Sequence, residues 1–143
     1  MSLKRALEIS ESGMSAQRQV MELIASNLAN INTTQSLQGG PYRRKMAVLT
    51  EKPLSFEQIY QSELSKPEGG GVAVGRVVED PAPPHKIYNP THPDADAHGF
   101  VTLPNVSLSQ ETVDMAAAMK VYEANTAAFN TTKKMIQESL QIQ

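Results

Sequence analysis

Four side chains that can bind a metal ion stand at alternate positions of one short stretch. They are His92, Asp94, Asp96 and His98, and imidazole and carboxylate groups are ordinary ligands of divalent metals. On an extended strand all four would point to one face. Pro93 also follows His92, and prolines and aspartates are typical of turns in which a carboxylate binds nearby backbone N–H groups. A solvated turn is the favoured interpretation, and no metal ligand is assigned.

Three further patterns are poorer candidates for chemistry. Residues 69–75, GGGVAVG, lack the Gly-Lys-Ser/Thr ending of a phosphate-binding loop, and no long helix follows them. No Gly-x-Ser-x-Gly motif accompanies the three histidines. The basic residues 43–45 are interpreted as a solvated strand edge or as an ion-pair surface against a neighbouring subunit. The sequence therefore predicts no enzyme, no catalytic residue, no cofactor and no small-molecule substrate. The alternative that retains chemistry is a metal-binding module around Tyr88, His92 and His98.

Composition excludes several other classes of function. With 143 residues the chain forms one domain, or one helical pair with a small inserted module. Its net charge of -2 gives no electrostatic case for binding nucleic acid. The absence of cysteine excludes disulfides and thiolate zinc sites. No apolar run approaches eighteen residues, so neither a membrane span nor a cleaved secretion signal is expected.

Both ends of the chain carry a single apolar stripe at the period of a coiled coil. In residues 1–34 and 107–143, apolar side chains recur at alternating steps of three and four. A helix of about thirty residues is roughly 45 Å long, more than a domain of this size covers alone. We therefore predict that the two helices pair as an antiparallel coiled coil, with Gly13 allowing close backbone approach. The residues predicted to pack between them are Leu7, Met14, Met21, Ile24, Leu28, Ile31, Met115, Met119, Tyr122, Phe129, Ile136 and Leu140.

The middle of the chain, residues 35–106, is predicted to be a loop and a small β-rich module. Alternating or β-branched residues predict strands over 42–51, 72–79 and 100–103, with a short strand at Ile87 and Tyr88. Helical spacing predicts a short helix over 55–64. Ser107 and Gln110 can form a capping box at the start of the last helix. The predicted fold class is α+β, with two terminal helices and an inserted β module.

Small polar residues lie off the two apolar stripes. Hydrogen-bonded contacts between closely packed subunits suit such residues, although solvent can satisfy them equally. We interpret them as subunit contacts. They are Asn27, Asn30, Asn125, Asn130 and Thr131.

Four motifs together resemble one known family. They are ASNLAN at residues 25–30, GGPYRRK at 39–45, HPDADAHGFVTLPNV at 92–106 and VYEANTAAFNTTKKMI at 121–136. ASNLAN followed by a Tyr-Arg strand start is similar to the signature of bacterial flagellar rod and hook proteins. The other motifs narrow the resemblance to the proximal rod. It extends over essentially the whole chain and is least distinctive at residues 50–68.

The resemblance implies a structural subunit of the flagellar basal body. Such subunits are exported unfolded through the flagellar type III apparatus and assemble in the periplasm into the rod, the drive shaft between the membrane ring and the hook. Their paired helices pack against those of neighbours, and the β module lies outside. The implied partners are further copies, other rod proteins, and proteins at the junction of the membrane ring and export apparatus. A soluble coiled-coil adaptor is the alternative.

Overall fold

Two long helices occupy the ends of the chain, and four short strands lie between them. The computed structural model describes residues 3–37, 39–52, 60 and 70–141. The elements, in order, are α1 (Leu3–Ala29), β1 (Lys45–Glu51), β2 (Val72–Glu79), β3 (His85–Tyr88), β4 (Phe100–Leu103) and α2 (Leu108–Gln141). The predicted α+β class is confirmed at this level, as are the strands over 72–79 and 100–103. The predicted helix over 55–64 lies outside the described residues, apart from Tyr60.

The two helices pack antiparallel to each other. Asn27 of α1 hydrogen-bonds Glu111 of α2, whereas Thr126 reaches the sulfur of Met14 at 3.3 Å. A Cβ added to Gly13 would lie 2.8 Å from the Asn125 Nδ2 atom. The end of α1 therefore lies beside the beginning of α2, and earlier residues of α1 lie beside later residues of α2. The closest approach is possible because Gly13 has no side chain to place between the helices.

Most buried positions of this helix pair are occupied by small or polar residues, and Ile24 is the one large apolar residue among them. The buried positions are Ser10, Gly13, Ala16, Ile24 and Asn27 on α1, with Glu111 and Ala118 on α2. Larger apolar residues therefore flank the closest contact and keep part of their surface exposed. The helices fit together closely at the centre and leave apolar surface at their sides.

The first ribbon of the β module is anchored to α1. β1 and β2 pair antiparallel, with a bulge where Val48 pairs with Arg76 and Leu49 with Val74. The extra residue is Gly75, at which a Cβ would lie 2.6 Å from the Thr50 hydroxyl. An isolated two-stranded ribbon is marginally stable in water. This ribbon packs on α1, where the Val72 N–H donates to Ser12 Oγ at 3.1 Å.

The start of β1 differs from the prediction by three residues. The Tyr42 N–H donates to the Thr33 carbonyl at 3.1 Å, and the Arg44 N–H donates to Asn105 Oδ1 at 3.3 Å. These partners lie in loops rather than in β2. Strand pairing consequently begins at Lys45, and residues 42–44 connect the loop after α1 to the loop before α2.

The second ribbon pairs β3 with β4 in an antiparallel register from His85–Leu103 to Tyr88–Phe100. The rings of Tyr88 and Phe100 meet edge to face, with centroids 5.4 Å apart. Val101 of β4 is buried, whereas every residue of β3 is exposed. The ribbon thus presents one strand to the rest of the chain and the other to solvent.

Candidate assembly surface

A buried polar cluster joins the end of α1, the start of β1 and the first turn of α2. We call it the junction, and its members are Asn27, Tyr42, Arg44, Asp80, Glu111 and Asp114. Glu111 is 0% exposed and Asn27 is 1% exposed. A charged carboxylate at such a position is tolerated only when it is paired and hydrogen-bonded. The surrounding side chains supply both conditions.

Asn27 is the hydrogen-bonding centre of the junction. Its Nδ2 donates to the Lys45 carbonyl at 2.9 Å and to Glu111 Oε2 at 3.1 Å. Its Oδ1 accepts from the Lys45 N–H and from the Tyr42 hydroxyl, both at 2.9 Å. One carboxamide therefore fixes the first residue of β1 against both helices. No other side chain type offers two donors and two acceptors in this compact form.

Arg44 supplies the positive charge of the junction. Its Nε donates to Glu111 Oε1, its Nη2 lies 3.1 Å from Asp114 Oδ2, and its Nη1 lies 3.7 Å from Asp80 Oδ2. Burial disfavours the guanidinium charge, but the hydrogen bond to Glu111 and the three carboxylates outweigh that cost and raise the pKa of Arg44. One cation faces three carboxylates, so the junction keeps an excess of two negative charges.

The position of Glu111 in α2 also stabilises its charge. The Glu111 N–H donates to the Ser107 carbonyl at 2.9 Å, which is the first hydrogen bond of the helix. Glu111 therefore lies in the first turn, where the helix dipole favours an anion. The Ser107 position agrees with the predicted start of the helix.

Two interpretations from the sequence need correction at the junction. Asn27 was expected to contact a neighbouring subunit, but its side chain is buried within the chain. Arg44 was expected on a solvated edge or facing another subunit, and it instead pairs with carboxylates of its own chain. The sequence patterns predict no role for Glu111, although an acidic residue in the first turn of a helix is favoured by the helix dipole.

The residues predicted to pack between the helices differ widely in exposure. Ile24 is buried, whereas Met119, Tyr122 and Leu140 are exposed. The remaining members are partly exposed: Leu7, Met14, Met21, Leu28, Ile31, Met115, Phe129 and Ile136. Ala118 and Glu111, which were not predicted, are the buried positions of α2. The side of α2 that contacts α1 therefore passes through Ala118, one residue before Met119 of the predicted stripe.

The other predicted subunit contacts lie nearer the surface. Asn30 Nδ2 donates to the Ser26 carbonyl at 2.8 Å, and Asn125 Nδ2 donates to the Val121 carbonyl at 3.0 Å. Thr131 donates to the Ala127 carbonyl at 2.9 Å. Asn130 and Thr131 are exposed. Their contact with a neighbouring subunit stays a prediction.

An exposed apolar face runs along α2 beside the helix pair. Its members are three, four or seven residues apart, which places them on one side of a helix. We call this the outer apolar face, and it consists of Val113, Ala117, Val121, Ala124, Ala128 and Met135. All six residues are exposed, and Val113 reaches 63%. Alanine predominates at the centre, so another helix can approach this face closely.

The stretch considered as a metal site is a hydrogen-bonded turn. Asp96 Oδ1 accepts from the N–H groups of His98 and Phe100 at 2.8 and 2.9 Å, as the turn interpretation predicted. Asp94 differs from that interpretation, because its carboxylate accepts from the side chains of Thr34 and Gln35 at 2.6 and 3.0 Å. Within the described ranges, no three ligand side chains converge on a point that could hold a metal ion.

The charge of Asp96 should matter for the turn only in acid. The hydrogen bond from the Phe100 N–H, with that from His98, lowers the pKa of Asp96 below its ordinary value of 3.8. A lowered pKa means that the carboxylate contributes fully above pH 3.8 and loses its contribution as the pH falls below that value. We expect Asp96→Ala to accelerate amide exchange of His98 and Phe100 at pH 7. In the wild-type chain, protection of both amides should persist until the pH falls below 3.8.

Asp94→Ala is the matched control for this measurement. It removes a carboxylate from the same turn but leaves in place Asp96 Oδ1, which accepts both N–H groups, so exchange at Phe100 should not change. Equal exchange at Phe100 in the wild-type chain and in Asp96→Ala would contradict the assignment of Asp96 as the residue that holds the turn.

Neither described helix has the length of apolar sequence that crossing a membrane requires.

Comparison with known proteins matches both ends of the chain. The family model described as "Flagella basal body rod protein" matches residues 7–35, and the one described as "Flagellar basal body rod FlgEFG protein C-terminal" matches residues 97–142. The protein named flagellar basal-body rod protein FlgC from Bacillus subtilis is 41% identical over 148 residues, covering 99% of each chain. Proteins of the same name from Aquifex aeolicus and Salmonella typhimurium are 39% and 35% identical, covering 99% and 98% of this chain and 97% of their own.

Long terminal helices with an exposed apolar face, and matches at both ends to rod proteins, define a structural component of the flagellum rather than an enzyme. More closely, the chain belongs to the FlgC family of flagellar basal-body rod proteins. Its location is therefore the rod of the flagellar basal body, and the resemblance found in the sequence is confirmed.

Proposed function

We propose that this chain builds the proximal rod by packing its helix pair side by side with neighbouring subunits. The neighbours are further copies and other rod proteins, together with proteins at the junction of the membrane ring and export apparatus. The assembled helices transmit torque along the drive shaft, while the β module lies outside them. Export through the flagellar type III apparatus and assembly in the periplasm are parts of the same proposal.

The outer apolar face of α2 is the observation that supports this role. Six exposed apolar residues in register along one helix are unfavourable in water unless another surface covers them. The hydrophobic effect provides about 25 cal/mol for each Å² of apolar surface that such a contact buries. A subunit that assembles along its length would cover the whole face, and each contact would repeat from one subunit to the next.

The helix pair itself favours assembly over a self-sufficient coiled coil. Close contact at Gly13 and Ala16 keeps the larger predicted packing residues, such as Met14 and Met21, only partly covered. Knobs-into-holes packing of all twelve predicted residues would then be completed by neighbouring helices rather than within one chain. A soluble adaptor is the alternative, and it would form a discrete small oligomer whose size does not change with concentration.

Ala124→Glu tests the proposed function at the centre of the outer apolar face. The change leaves the contact with α1 intact and places a charge where a neighbouring helix should approach. We expect the purified variant to keep the wild-type helix content and melting temperature, but to be absent from isolated basal bodies and to abolish swimming. The measurement is complementation of a host that lacks its own copy, with immunodetection in basal bodies.

Ala127→Glu provides a matched control on the same helix. Ala127 is also exposed, but it lies on the polar side of α2 with Lys120, Glu123 and Lys134. The same substitution there should preserve incorporation and swimming. Normal swimming with Ala124→Glu, or a fixed small oligomer of the wild-type chain, would reject rod assembly through this face in favour of the adaptor.

A further inference from the structure

A groove opens between the two helices and β1, directly beside the junction. Its walls are apolar and include Val20 and Leu23 of α1, Met46 of β1, and Ala117 and Val121 of α2. Its polar end is formed by Arg44, Lys45, Glu111 and Asp114. The Asp114 carboxylate at this end and the apolar walls together suit an occupant that carries a cation followed by an aliphatic side chain.

The far end of α2 has apolar surface that α1 does not cover. The contacts of Asn27 with Glu111 and of Gly13 with Asn125 fix the register of the pair. The two helices have the same rise per residue, so each step back along α1 matches one step forward along α2. On this register Leu3 lies opposite roughly residue 135. Ile136 and Leu140 lie on the face that contacts α1 elsewhere, but Leu140 extends beyond the described part of α1 and is 66% exposed.

The spacing of charge and apolar surface matches between these two regions. Lys133 precedes Leu140 by seven residues on one face of α2, and Asp114 precedes Val121 by seven residues at the edge of the groove. Seven residues of helix span about 10.5 Å. Two helices lying parallel would therefore bring Lys133 beside Asp114 and Leu140 beside Val121 at the same time.

A pair of opposite charges can also form between the two regions. The side chain of Asp114 is 36% exposed at the edge of the groove. The end of α2 contains Lys133 and Lys134 with a single carboxylate, Glu138, on another side of the helix. A pair of opposite charges fixes the register and orientation of two surfaces more than it raises affinity.

We propose that the groove binds the end of α2 from a second copy of this chain, with Lys133 beside Asp114 and Leu140 beside Val121 of the next copy. This inference rests on the proposed function as an assembling subunit and identifies one of its contacts. The contact is heterologous, because the groove and the helix end are different surfaces. A heterologous contact that does not close into a ring propagates into a helical array, which is the geometry that a rod requires.

Cysteine pairing tests this contact directly, since the chain has no cysteine of its own. The variant Val121→Cys/Leu140→Cys places the two thiols nineteen residues apart on one helix, about 28 Å, so they cannot form a disulfide within one chain. We expect mild oxidation of isolated basal bodies to give covalent dimers and higher multimers of this chain. Val121→Cys/Glu138→Cys, with the second thiol on the opposite side of the helix, should give monomers under the same conditions.

The outcomes separate this inference from the proposed function. Basal bodies that contain the Val121→Cys/Leu140→Cys variant but yield only monomers would overturn the inference and leave the rod function standing. Cross-links that join Leu140→Cys to a different rod component would overturn it as well, because the occupant would not be a second copy. Absence of even the wild-type chain from basal bodies would reject the proposed function itself.

Discussion

Replacing Glu111 by alanine is expected to lower the free energy of unfolding by about 3 kcal/mol. Breaking a buried ion pair typically costs about 3–5 kcal/mol, because one charge is left without its partner. The lower end applies here since Arg44 keeps Asp114 and Asp80 and its side chain is 18% exposed. Asn27 loses one acceptor in addition. The chain has a typical total stability of about 5–15 kcal/mol, so this single change removes a large part of it.

Chemical denaturation of purified protein at pH 7 measures this loss. Glu123→Ala is the control, because Glu123 belongs to the same helix and pairs with Lys120 at 3.2 Å on the exposed surface. Exposed pairs contribute roughly 0–1 kcal/mol, so the control should stay close to the wild-type stability. Equal stabilities for Glu111→Ala and Glu123→Ala would show that the buried pair does not hold the helices to β1.

Asn27→Asp is expected to destabilise the chain at least as strongly as Glu111→Ala at pH 7. The substitution preserves shape and keeps the acceptor for Tyr42 and for the Lys45 N–H. It replaces the donor that faces the Lys45 carbonyl and Glu111 Oε2, so a carboxylate would lie against a carbonyl and a second carboxylate. Like charges at such a distance raise the pKa of a carboxyl group. We expect a loss of about 3–4 kcal/mol, as for other unpaired buried charges.

The pH dependence distinguishes this mechanism from a loss of shape. The introduced carboxyl group should have a pKa above its unfolded value, so its protonated form is stabilised by folding and the variant gains stability as the pH falls. The stability difference from the wild type should therefore be smaller at pH 5 than at pH 7. Asn30→Asp, in the same motif but partly exposed, should cost below about 1 kcal/mol and show little change with pH. A pH-independent loss for Asn27→Asp would argue against carboxylate repulsion.

Periodicity in the sequence was enough to locate most of the elements. Two stripes at a 3.5-residue period placed the helices, and β-branched runs placed β2 and β4, because these patterns follow directly from the geometry of each element. The face of each helix was less predictable. A stripe such as Met115, Met119 and Tyr122 marks apolar residues, but small residues such as Gly13 and Ala118 occupy buried positions between the helices.

The junction shows why polar residues are harder to assign than apolar ones. Asn27 and Arg44 stand in motifs that identified the family, yet a single sequence does not reveal whether a polar side chain is solvated, buried or shared with a neighbour. The answer depends on Glu111, which lies 84 residues from Asn27 along the chain. Only the antiparallel pairing of the helices brings these side chains together. Local sequence patterns do not reveal contacts between residues that lie so far apart along the chain.

The position of the junction also determines how the helix pair can open. All of its hydrogen bonds and ion pairs lie where α1 ends and α2 begins, whereas the described residues at the opposite end, 3–9 of α1 and 119–141 of α2, include no fully buried position. Segments with few buried contacts open locally at low free-energy cost, while segments tied by buried networks open last. Fraying should therefore begin at Leu3 and Gln141 and stop where the first ribbon attaches to α1, first at Ser12 and then at Asn27. The outer parts of the two helices should thus open while the first ribbon stays attached to α1.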